Sequence, residues 1–114
     1  MGVRHVTPWG LWPSGDSRPI AVLPFDAPEL TRGYGLVWQE GIDDLGRFLI
    51  AAIELAGGVQ AWLIRHDTDP NPGTVVQVDA AADVAEAQSR LADAMKLDLR
   101  DLLWLSPARM VRLS

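Results

Sequence analysis

Residues 41–58 read GIDDLGRFLIAAIELAGG, and the fold turns on what this stretch becomes. Ile42, Leu45, Leu49, Ala52, Ile53 and Ala56 recur at intervals of three and four residues, as on one face of a helix. Asp43 and Asp44 fall in what would be the first turn, where a helix dipole favours negative charge, and Gly57-Gly58 would stop the helix. The spacing predicts a helix here, the central one of the core. Ile50 lies off the stripe, so this element needs cover on more than one side.

Upstream, Pro19–Phe25 carries Ile20, Val22, Leu23 and Phe25 and is expected to be an edge strand, closed by Pro24 and a turn at Asp26-Ala27-Pro28. Glu29–Gly33 reads as a loop, and Tyr34–Gln39, with Leu36, Val37 and Trp38, as a second strand. Downstream, Val59–His66 and Thr74–Val78 should pair as an antiparallel hairpin. Asn71-Pro72-Gly73-Thr74 fits a type II turn between them, with glycine where φ must be positive. Asp79 is expected to cap a helix whose apolar stripe is Val84, Ala87, Leu91, Ala94 and Met95, with Asp83, Glu86, Arg90 and Asp93 facing outward. Asp98 is placed to cap a short tail helix, a strand at Leu102–Leu105 being the alternative, and Pro107 opens another turn reaching about Val111. The core should include Leu49, Ile53, Trp62, Ile64, Val76, Val78 and Leu91.

The element order echoes itself. Ile20–Glu54 and Trp62–Met95 both read as strand, Asp/Pro turn, strand and helix, with Asp26 and Pro28 answered by Asp67 and Pro70. This predicts an α+β chain: a four-stranded, largely antiparallel sheet with two main helices on one face, in ββαββα order. That order equals a permuted ferredoxin-like arrangement, here with a short helical tail. Residues 1–18, rich in Trp, Pro and Gly, are expected to be an irregular arm with a short strand at Val3–Val6. Residues 19–114 form the single α+β domain.

At 114 residues the chain can bury one ordinary core. Fifteen acidic residues against ten basic ones give a net charge of −5, which repels nucleic-acid phosphates and anionic lipid and attracts a basic protein. No cysteine means no disulfide and no thiolate chemistry. Phe48–Ala56, the longest apolar stretch, is too short to span a bilayer, and the N-terminus lacks the pattern of a signal peptide, so a cytoplasmic protein is expected.

His66-Asp67-Thr68-Asp69 is the one cluster with metal-ligand or acid–base chemistry, but Asp and Pro dominate turns for conformational reasons. Gly33-Tyr34-Gly35 and Gly57-Gly58 lack the lysine and the spacing of a phosphate loop. No catalytic residue, metal or cofactor is expected.

What remains is a small acidic protein-binding inhibitor, of the kind that immunity proteins are when they neutralise a bacterial toxin by occluding its basic cleft. Asp67, Asp69, Asp83 and Glu86 would steer the partner, and Trp9 and Trp12 would anchor it. This expectation rests on composition and missing motifs, not on likeness to a family. One alternative is a small-molecule-binding or enzymatic domain using the open sheet face, with Trp38 and Trp62 lining an apolar pocket. Another is a structural or assembly adaptor docking through the Trp-rich arm.

Overall fold

The stretch predicted as the central helix is instead a β-hairpin arm. The computed structural model describes the backbone of residues 4–6 and residues 16–70 and 72–106. In chain order the elements are β1 (Arg4–Val6), β2 (Ser17–Leu23), α1 (Ala27–Tyr34), β3 (Gln39–Asp43), β4 (Gly46–Leu55), β5 (Val59–His66), β6 (Thr74–Asp79), α2 (Val84–Met95) and β7 (Trp104–Leu105). Short 3-10 turns occupy Ala56–Gly58 and Leu99–Asp101. The fold is α+β, as expected, but the sheet is larger than four strands. A path of six runs β1-β4-β5-β6-β2-β7, and β3 is a seventh on the β4 edge, every pairing being antiparallel.

β4 is a strand because both of its faces are apolar. Phe48, Ile50 and Ala52 alternate with Ala51, Ile53 and Leu55, and all six are buried. A strand covered on both sides reads as an unbroken apolar run, which periodicity does not separate from a helix. Ile50, off the supposed stripe, belongs to the second face. Gly46 has φ 114°, a value foreign to helices, and closes the tight turn Asp44-Leu45 that joins β3 to β4.

A helix forms where a turn and loop were expected. The Asp26 carboxylate accepts from the Glu29 N–H (3.0 Å) and the Glu29 carboxylate from the Asp26 N–H (2.9 Å), a capping box that starts α1. Gly35, at φ 68°, ends it, so Tyr34–Gln39 is not a strand. α1 carries the chain from β2 to β3, on the far side of the sheet. The predicted repeat dissolves: its first half is strand, helix, strand, strand, and its second is strand, strand, helix.

The β5–β6 hairpin and α2 lie where expected. Asp83, not Asp79, caps α2 by accepting from the Glu86 N–H (3.1 Å), while Asp79 accepts from the Ala81 N–H (2.9 Å) one turn earlier. In the tail both expected forms occur in succession: Asp98 caps the 3-10 turn, and β7 then pairs with β2. Buried Gln88 fastens that strand, its Nε2 donating to the carbonyls of Ile20 (3.0 Å) and Ser106 (2.9 Å). The short strand expected at Val3–Val6 is β1. The anticipated turn after Pro107 lies outside the described residues.

Each sheet face carries its own apolar cluster. Ile20, Leu23, Ile53, Leu63, Val76 and Val78 pack beneath Leu30 of α1 and Leu91 and Met95 of α2. Phe48, Ile50, Ala52, Trp62 and Ile64 form the other cluster. Leu49, expected in the core, is only half-buried, whereas the other six expected core residues are buried. The face opposite the helices is therefore not open over β4 and β5. Trp38 packs against the helix-side cluster while Trp62 belongs to the other, so the two do not line one pocket.

Candidate protein interface

At one end of the sheet the β3–β4 turn meets the β5–β6 loop. β4 and β5 pair from Phe48–His66 to Leu55–Val59, which brings Asp43 of β3 beside His66 of β5. His66 Nε2 donates to the Asp43 carboxylate (2.9 Å to Oδ2), and its ring lies against that of Phe48, 5.3 Å between centroids. This hydrogen bond, helped by the nearby backbone amides of Leu45 and Gly46, holds the Asp43 carboxyl below its usual range. Two further ties cross the gap: the Asp67 N–H donates to the Arg47 carbonyl (2.9 Å), and Thr68 Oγ1 to the Leu45 carbonyl (2.8 Å).

Gly41 makes this packing fit. Any Cβ there would overlap the Phe48 ring, which lies across the strand in the space a side chain would fill.

This end also exposes apolar surface. Ile42 is 78% exposed and Leu45 68%, beside a shallow hollow of about 450 Å³ lined by Glu40, Gly41, Ile42 and Arg47. Glu40 and Arg47 flank Ile42, and Asp43, Asp44, Asp67 and Asp69 lie on or beside the two loops of this end. Among the described residues, no group of three or more His, Cys, Asp or Glu is arranged to hold a metal ion. His66, considered in sequence as a ligand or a base, is a strut for the turn.

The predicted steering carboxylates do not form one surface. Asp67 and Asp69 lie before β6, Asp83 and Glu86 after it, and the strand holds the pairs roughly 15–20 Å apart at about 3.3 Å per residue. Asp83 is committed to the α2 cap. Glu86 accepts from Arg90 (2.9 Å), whose guanidinium abuts Gly57 at the opposite end of β5. Trp9 and Trp12 lie outside the described residues. Ile42, Asp43, Asp44 and Leu45 fall in the stretch whose spacing predicts a helix, so the sequence alone does not mark them as interface residues.

No family model matches the chain, and no curated protein or solved structure matches it significantly. Among the described residues no helix is long and apolar enough to cross a membrane.

Proposed function

We propose that this protein binds a basic protein partner through the β3–β4 turn and the β5–β6 loop. In this role it acts as an inhibitor that covers a cationic cleft, in the manner of an immunity protein toward a bacterial toxin in the cytosol of its producer. One observation carries the reading: two exposed aliphatic side chains, Ile42 and Leu45, stand at an end of the sheet where the carboxylate-bearing β3–β4 turn and β5–β6 loop are tied together. Apolar anchors within a polar rim are the usual anatomy of a protein interface, and an excess of carboxylates steers a basic partner. Asp67 and Asp69 keep the steering role expected for them, joined by Asp43 and Asp44. Preformed turns lower the ordering cost of association.

The test begins with a pull-down of the full chain from its native host, and the recovered partner is then studied by association kinetics at two salt concentrations. Leu45→Asp should weaken binding by about 2 kcal/mol or more, roughly 30-fold, as for a central anchor. Asp44→Lys combined with Asp67→Lys should slow association and flatten its salt dependence. Glu86→Lys should do neither. Unchanged binding in the first two variants would remove this surface from consideration, and failure to recover any protein partner would remove the inhibitor reading itself.

A further inference from the structure

On the helix side, the C-terminal ends of α1 and α2 enclose an open groove of about 820 Å³, within the size range of small-molecule sites. Its floor is apolar: Phe25, Tyr34, Ala94 and Met95. Two cations, Arg32 and Lys96, stand at its rim, with Glu29 as the single carboxylate. A cation at a helix C-terminus is ordinarily explained by the exposed carbonyls there. Here three of the last four α2 carbonyls, and Thr31 O of α1, are occupied by other donors. Gly35 N–H bonds to Thr31 O (2.9 Å), Leu97 N–H to Ala92 O (2.9 Å), Lys96 N–H to Asp93 O (3.3 Å), and Tyr34 Oη donates to Met95 O (2.8 Å). Neither the Arg32 nor the Lys96 side chain has a hydrogen bond or ion pair among the described residues.

The backbone adds a second observation. Both helices end on a left-handed residue, but α1 uses Gly35 whereas α2 uses Lys96 at φ 57°, the one non-glycine residue with positive φ among those described. Glycine takes this conformation freely and lysine does not. The position holds a cation where glycine would suit the helix better, and that cation faces the groove.

We propose that the groove binds a small monocarboxylate with a flat apolar body. Its head group pairs with the Arg32 guanidinium, whose fork suits a carboxylate, and with the Lys96 ammonium. Its body lies on Phe25 and Tyr34. Glu29, one helical turn before Arg32 and held in the capping box, repels a second anionic group and fixes which end of the ligand enters. This site is separate from the carboxylate-bearing loops and does not depend on their role.

The full chain, labelled with nitrogen-15, is titrated with 1-naphthoate and followed by amide chemical shifts. Saturable shifts centred on Arg32, Gly33, Tyr34 and Lys96 are expected, with neutral 1-naphthylmethanol binding at least fivefold more weakly. Arg32→Gln should weaken naphthoate at least fivefold. Lys96→Gly should weaken it similarly while raising the melting temperature, so its loss of binding is not a loss of fold. Shifts that do not saturate, shifts centred elsewhere, equal binding of the neutral analogue, or unchanged binding by Lys96→Gly would each overturn the proposal.

Discussion

The two ends of the sheet are both rich in carboxylates and use them in opposite ways. At the end where β6 leads into α2, Asp79, Asp83 and Glu86 each bond to an amide or a guanidinium within four residues. They cap a turn, cap a helix and make an exposed pair, all local work. At the end where β3 meets β5, Asp43 bonds to His66, 23 residues away, and Thr68 bonds across the same distance to Leu45. Those bonds lock the β5–β6 loop to the β3–β4 hairpin, which carries the exposed Ile42 and Leu45. Negative charge alone therefore does not mark an interface. What separates the two ends is whether the carboxylate serves its own turn or joins distant ones around apolar surface.

Removing the support of the locked end should have the largest effect. Phe48 is buried, lies against the His66 ring and over Gly41, so Phe48→Ala should cost about 3–5 kcal/mol in urea unfolding. A loss below about 1 kcal/mol would mean that the β3–β4 arm is not part of the cooperative core. The local end should respond less. Asp83→Ala removes the α2 cap and should cost about 1 kcal/mol, with no change in partner association; a change in association would make that end part of the interface.

The smallest effect is a pH dependence at the locked end. The Asp43 carboxyl is held below its ordinary value of 3.8 when folded, so its contribution is complete above that value and is lost as pH falls through the folded one. The stability difference between the native chain and Asp43→Asn should therefore be level just above about pH 5 and shrink below about pH 4. Thermal unfolding across that range checks it, and a difference that grows on acidification would contradict the assigned bond.

The legible parts of the fold are those where one residue pattern admits one structure. α2 has a narrow apolar stripe, Val84, Ala87, Leu91 and Met95, against an acidic outer face, and no strand could bury that pattern. Pro72-Gly73 marks the β5–β6 turn, with Gly73 at φ 97°. β4 was not legible as a strand because burial on both faces erases the alternation that identifies one. α1 is only eight residues long and holds Pro28 and Gly33, yet its start was readable: Asp26 and Glu29 stand at capping-box spacing.

The candidate interface was half legible. Asp67 and Asp69 could be placed on a loop from local sequence alone. The pairing of Asp43 with His66 depends on the register of β3, β4 and β5, which no local pattern reveals once β4 is taken for a helix.

β2 sits between β6 and β7, both of which come later in the chain, and Ser17 Oγ meets Gln77 Oε1 (2.6 Å) across 60 residues. Strands β3 to β6, by contrast, form a meander of neighbours that close through short loops. Local closures precede distant ones because the entropy of a long loop must be overcome before its contacts form. On the ribosome, Ile20, Ala21 and Leu23 therefore emerge without a partner and wait until residues 74–79 have been made. For that interval the strand that ends up inside the sheet is open to chaperones and to mispairing with another copy.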